Sequence, residues 1–240
     1  MDKLTTTLSN IILKAGQMPG YKVRPMETYK NLKLQKNNVP LSHPKQVYTL
    51  EMEELDKAAD EVIKKHNYRF AATGAAVGAP GGPVAMFGGA VIDIEEYIRR
   101  MFLLTQELGH IYGVLPNPFS YNQHADNEEY FSSIQLELMK AMVLGLGGKG
   151  VTIGTLQTQE EKGEDNIDPQ TMYQLAMKIA DLVGKQKLKK HLAKVMGRSV
   201  PLLGGGINGT LNYYFIKQLG RNLKDEIRQE HVYVREYLNR

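Results

Sequence analysis

Between Phe70 and Ile92 the chain carries no charge for 23 residues, and "AATGAAVGAPGGPVAMFGGA" (71–90) holds six glycines and two prolines. A helix of that length could cross a bilayer, since a span needs about 20 apolar residues. The composition argues otherwise. Glycine and alanine predominate over leucine, so few strongly apolar side chains are present to repay insertion. The segment "APGGP" (79–83) also breaks a helix, because Pro80 restricts Ala79 and Pro83 restricts Gly82. Two short apolar arms around a break are therefore expected, either as a buried core hairpin or as a hairpin that dips into a membrane.

Glycine inside a helix costs roughly 0.5–1 kcal/mol against alanine, so repeated helical glycines need an offsetting gain. Small residues four apart leave a smooth groove in which two backbones approach closely. Gly74 and Gly78 have that spacing, as do Gly150 and Gly154, and Gly205 and Gly209. Helix crossings are expected at these pairs. "GLGGKG" (145–150) matches G-x-G-x-x-G literally, but a helical pattern rather than a strand precedes it, so the context of a dinucleotide loop is missing.

The rest of the chain is helical in pattern. "LEMEELDKAADEVIKKHN" places acids early and lysines late, the order that complements the helix dipole. Ile94, Tyr97, Ile98, Met101, Leu104, Leu108 and Ile111 recur at helical spacing, and Gly113 with Pro116 behind it is a stop signal. A further helix starts at Asp126 or Asn127, with Phe131, Ile134, Leu138, Ala141 and Met142 on its buried side. "TQEEKGEDN" (158–166) is an acidic exposed loop. Asp168 caps the next helix, Pro169 opens it, and Gly184 is expected to close it, with Met172, Leu175, Ala176, Ile179, Leu182 and Val183 as its stripe. The uncharged run Ser199 to Ile216 and a separate polar helix, "KQLGRNLKDEIRQEHVYVREYLNR", finish the chain. No strand alternation is long enough to build a sheet. The expected fold is all-α: one compact bundle of about six to eight helices with glycine-rich, close-packed hairpin segments. Residues 1–48 stand apart as a basic N-terminal extension, broken by Pro25, Pro40 and Pro44 and read as a solvated arm or a contact for anions. Residues 49–240 form the helical domain.

Composition limits the chemistry. The chain has 240 residues, no cysteine and a net charge of +4, so thiol nucleophiles and cysteine metal clusters are excluded and anionic partners are mildly favoured. "MDKLTTTLSNIILKAG" has too short an apolar core for a secretory signal, which points to a cytoplasmic protein. Zinc-finger, RRM and basic-zipper patterns are missing, so nucleic acid is not expected as a partner.

Two segments carry a family resemblance. "AATGAAVGAPGGPVAMFGGAVIDIEEYIRRMFLLTQELGHIYG" is similar to the skeleton of the EcsC family, through Thr73, Gly74, Gly78, Pro80, Gly81, Gly82, Asp93, Tyr112 and Gly113. "RSVPLLGGGINGTLNYYFIKQLGR" resembles the family's C-terminal segment, through Pro201, Gly204, Gly209, Asn212 and Tyr213, with Gly205 beside them. Many members have a histidine six residues before the Tyr-Gly pair. This chain has Gln106 there, and its histidine is His110. The resemblance implies a protein encoded beside an ABC transporter, with that transporter as a partner and no assigned activity.

Two functions from different classes follow. The first is a non-catalytic protein at the membrane surface, cytoplasmic and peripheral at the inner face. In "KQKLKKHLAKVMGR", Leu188 and Leu192 fall on one helical face, and Lys187, Lys189, Lys190 and Lys194 lie elsewhere. Such a basic amphipathic helix lies in the headgroup plane of anionic lipid, while the bland alternative is an ordinary surface helix that packs its leucines on the core. The second is a metal-dependent enzyme of helical-bundle type. "ELGH" sets Glu107 and His110 at i and i+3 on one face, the spacing used by di-iron carboxylate bundles, but a second Glu-x-x-His is missing. The ordinary reading of His110 is a packing histidine. No cofactor is expected.

Overall fold

The structure, a computed structural model, describes residues 3–77, 89–154, 168–196 and 206–240. Side chains of 3–4, 71, 73–94, 185–196 and 206–212 stand outside that description. The all-α expectation holds. Seven α-helices lie among the described residues: α1 (Lys3–Lys14), α2 (Pro25–Leu32), α3 (Met52–Val77), α4 (Gly89–Ile111), α5 (Asn127–Gly145), α6 (Pro169–Met196) and α7 (Gly206–Leu238).

Local chemistry sets several ends. Asp126 accepts from the amides of Glu128 and Glu129 at 2.8 and 2.9 Å and starts α5. Asp168 accepts from those of Gln170 and Thr171, both at 3.1 Å, and starts α6. The Gly113 amide donates to His110 O at 3.0 Å and that of Val114 to Gly109 O at 2.9 Å. This pair of bonds closes α4 on a left-handed residue, and Gly113 supplies it at φ 65°. "GLGGKG" ends α5 in the same way: Gly147 has φ 79°, and the amides of Gly147 and Gly148 return to Leu144 O and Val143 O, each at 2.8 Å.

The longest pairing is α3 against α7, and it is antiparallel. Tyr68 meets Tyr213, with centroids 6.2 Å apart. Ile63 lies against Gly220, Lys224 binds Asp60 at 2.8 Å, and Arg228 binds Asp56 at 3.1 Å. Helix α4 runs antiparallel along α3, with Glu107 bonded to His66 at 3.1 Å and Tyr97 beside Phe70 at 5.6 Å. It also packs on α2, α5 and α7, so it is the central helix. Helix α5 crosses α7 where Gly145 faces Leu219 and Leu223. Helix α6 covers α5 and carries α1 on another side.

Four expectations are corrected. The segment read as a basic arm is part of the bundle: Leu8, Ile12, Ala15, Tyr21, Tyr29, Leu34, Leu41 and Val47 are buried in the common core. No long helix forms there, as its prolines imply: Pro25 opens the short α2 and Pro44 opens a 3₁₀ helix, where a missing amide costs nothing. It also holds a short hairpin, Gln35–Lys36 with Val39–Pro40, turned by Asn37 and Asn38 at φ 52° and 64°, as a two-residue type I′ turn requires. Second, Gly184 does not close α6, which continues to Met196 through residues of high helix propensity. Third, the uncharged run and the polar helix share one continuous helix from Gly206. Fourth, Gly150 is no helix crossing. It sits in a turn at φ 77°, and a Cβ there would meet nothing nearer than Lys178 Nζ at 3.9 Å. Among the described residues the close approaches occur at Gly16, Gly109, Gly145, Gly148 and Gly220. The loop 158–166 lies outside the described residues.

Candidate functional site

The Tyr112–Gly113 pair of the family-like motif sits where α3, α4 and α7 meet. The Tyr112 hydroxyl donates to Asp56 Oδ1 at 2.6 Å, and Arg228 Nε donates to the same oxygen at 3.1 Å. Tyr112 is held un-ionised by burial, reinforced by the hydrogen bond to Asp56 and its negative charge. Behind it, His231 Nδ1 donates to Tyr112 O at 2.6 Å, and the ring stacks on Tyr48 at 4.7 Å and 6°. The Tyr48 hydroxyl returns to Gly113 O at 2.8 Å. The Tyr112 hydroxyl and the carbonyls of Tyr112 and Gly113 all join elements of the bundle, while His231 Nε2 has no hydrogen-bond partner.

Glu107 and His110 are committed to different partners. Glu107 accepts from Lys65 Nζ and His66 Nε2, both at 3.1 Å. Burial alone would raise its carboxyl; those two donors outweigh it and hold it at about 2. His110 is fully buried, and burial pushes it down to about 3, so it is neutral. Its ring bridges Thr28 Oγ1 and Tyr130 Oη, each at 2.7 Å. One consistent assignment is a chain: Tyr130 donates to Nε2, Nδ1 donates to Thr28, and Thr28 donates to Arg24 O at 3.4 Å. The metal-enzyme reading therefore loses its ligand pair, because both ring nitrogens and both carboxylate oxygens already serve the bundle. Among the described residues no group of three or more His, Asp or Glu side chains is placed to hold a metal ion. Gln106, where the family pattern has histidine, clamps the chain before α2. Its Nε2 donates to Tyr21 O at 2.8 Å, and its Oε1 accepts from Val23 N at 3.2 Å.

The sequence reading missed His66. It lies on the buried face of α3, four residues after Val62, and that register was its only signal. Burial lowers its pKa, and Nδ1 has no partner, like the neighbouring Asn67 Oδ1.

Charge is segregated along α3 and α7. Helix α3 and the residue before it carry Glu51, Glu53, Glu54, Asp56, Asp60 and Glu61, with Lys57 the one base among them. Lys64, Lys65 and Arg69 follow, and then no charge to Val77. Helix α7 reverses the order. It is uncharged from Gly206 to Ile216, then carries Lys217, Arg221 and Lys224 before its first acid, Asp225. Antiparallel pairing brings the basic sections together and sends both uncharged ends the same way. They project about 12 Å beyond Arg69 and about 16 Å beyond Lys217, at about 1.5 Å per residue. Helix α6 touches the turn after α5, where Leu182 meets Gly148, and continues through Lys185 to Lys194.

At the border between basic and uncharged surface stand three tyrosines. Tyr68 is 59% exposed and Tyr214 is 61% exposed, and Tyr233 and Tyr237 near the other end of α7 are exposed as well. Tyr213 lies between them, 6.2 Å from Tyr68 and 5.9 Å from Tyr214, with Lys217 Nζ 5.5 Å from its centroid. Helices α3 and α7 contain Gly74, Gly209 and Asn212, and α4 contains Asp93, without described surroundings. Gly78, Pro80, Gly81 and Gly205 lie outside the described residues, as do the side chains of Lys187, Leu188, Lys189, Lys190, Leu192 and Lys194 on α6. No helix among the described residues is long and apolar enough to cross a membrane.

No protein-family model matches the chain, and no curated protein or solved structure matches it.

Proposed function

We propose that this is a non-catalytic membrane-surface protein of EcsC-like type, which docks one pole of its helical bundle on anionic lipid. The observation that carries the reading is the segregation of charge along the antiparallel pair α3 and α7. The acids of α3 gather at one end, and bases followed by uncharged helix gather at the other. Each lysine or arginine near an anionic surface contributes about 1 kcal/mol, and the basic residues of α3 and α7 share that end. Helix α3 ends at Val77 and α7 begins at Gly206, both at this pole. An ABC transporter partner, as the resemblance implies, would meet the protein at the same surface.

Flotation of the full-length protein with vesicles tests the reading. Vesicles containing phosphatidylglycerol should carry the protein at low salt and release it as salt rises, since exposed charges are screened. Pure phosphatidylcholine vesicles should carry less. Replacing Lys187, Lys189, Lys190 and Lys194 by glutamine should weaken binding by about 4 kcal/mol, close to a thousandfold, with an unchanged melting temperature. Parent protein that ignores anionic vesicles at low salt overturns the proposal.

A further inference from the structure

We infer that Tyr68, Tyr213, Tyr214 and Lys217 form a collar that sets how deep the pole sits in the bilayer interface. The inference rests on the membrane reading and adds to it a defined contact line. Arg69 is the last charge on α3 and Lys217 the first on α7. The Tyr68–Tyr213 contact puts Arg69 level with Tyr213, and Lys217 stands four residues, about 6 Å, further from the uncharged ends. On α4 the first charge is Asp93, four residues beyond Tyr97, the partner of Phe70, and the exposed Glu95 follows it. Exposed rings thus stand where charged surface gives way to uncharged helix. Tyrosine suits that plane because its ring favours the acyl boundary while its hydroxyl stays with headgroups and water. Lys217 is half-buried, and its long stem lets the ammonium reach phosphate from the same line. A packed protein–protein site is a different occupant. The collar fits it less well, because uncharged helix continues past it rather than a polar rim.

The chain has no cysteine, so single labels can be placed without altering other residues. Tyr68→Cys, Tyr214→Cys and, as a control on the opposite end of α7, Tyr233→Cys would each carry a nitroxide. Accessibility to oxygen, which concentrates in lipid, and to an aqueous nickel chelate is then measured with and without phosphatidylglycerol-containing vesicles. Labels at 68 and 214 should gain oxygen access and lose nickel access on vesicles, and 233 should change in neither. Protein that floats while all three labels stay equally aqueous overturns the collar and leaves membrane docking standing. Protein that fails to float overturns both. Loss of nickel access at 68 and 214 without vesicles, growing with protein concentration, assigns the rings to self-association and also overturns the collar. Independently, Tyr68→Ser with Tyr214→Ser should weaken flotation at least about tenfold in a salt-independent way, from the apolar area the rings no longer remove from water. Tyr233→Ser should leave flotation unchanged.

Discussion

Ile63 of α3 packs directly on the backbone of Gly220 in α7: a Cβ on that glycine would stand 2.9 Å from both Cγ1 and Cγ2 of the isoleucine. The obstructing atoms belong to a β-branched side chain with restricted rotamers, so they yield little. Gly220→Ala should therefore destabilise the protein by about 1–3 kcal/mol despite alanine's better helix propensity. Thermal melts should show a fall of about 2–4 °C for each kcal/mol in a chain of this size. An unchanged or raised melting temperature would show that the two helices separate at no cost.

Gly184 predicts the opposite sign. It lies inside α6, and a Cβ there would meet nothing within 4 Å. Alanine fills no occupied space and restricts the unfolded chain, so Gly184→Ala should stabilise by about 0.5–1 kcal/mol. Chemical denaturation of the two alanine variants side by side checks both signs. A Gly184→Ala variant less stable than the parent would mean that α6 needs its glycine.

Tyr112 tests the three-helix junction. Its hydroxyl is bonded to Asp56, an acceptor that is part-exposed and also held by Arg228. Tyr112→Phe removes one bond to a charged group, and water and Arg228 still satisfy the carboxylate. A loss of about 1.5 kcal/mol, the low end for such bonds, is expected in urea denaturation. Asp56→Ala should cost more, because it strands the Tyr112 hydroxyl and releases Arg228 together. Equal costs for the two variants would show that Arg228 contributes nothing at this corner.

What the sequence made legible is what neighbours along the chain decide. Asp126, Asp168 and Gly113 announced helix ends because a cap or a left-handed residue acts within a turn. The stripes of α5 and α6 were readable because burial follows helical period. Pairing of distant helices was not readable. Nothing local distinguishes Gly220, which meets Ile63, from Gly184, which meets open space. His66 was missed for the same reason, since its partner Glu107 comes from another helix. Asn37-Asn38 was a weak hairpin signal, hidden by flanks of two residues each. The basic pole emerged only when α3 and α7 were seen to run antiparallel, because each helix alone shows an ordinary charge gradient.

Acid should weaken this fold through its buried histidines. His110 is neutral in the folded chain, pushed by burial to about 3, and titrates near 6.5 when exposed on unfolding. Between those values the unfolded chain binds more protons, so stability falls as pH falls. At pH 5 the loss from His110 alone is about 2 kcal/mol relative to pH 8, taking RT ln of the unfolded chain's extra protonation. His66 and His231 are lowered too, chiefly by burial, and act in the same direction. Glu107, held at about 2, adds a loss that begins only below about 4.5, where its unfolded form takes up a proton. His110→Gln separates the contributions. The amide keeps one donor and one acceptor for Thr28 and Tyr130 but does not titrate. The variant is expected to be less stable than the parent at pH 8, yet to lose about 2 kcal/mol less between pH 8 and pH 5 in urea titrations. If parent and variant share one pH dependence, His110 is not the neutral buried bridge between Thr28 and Tyr130.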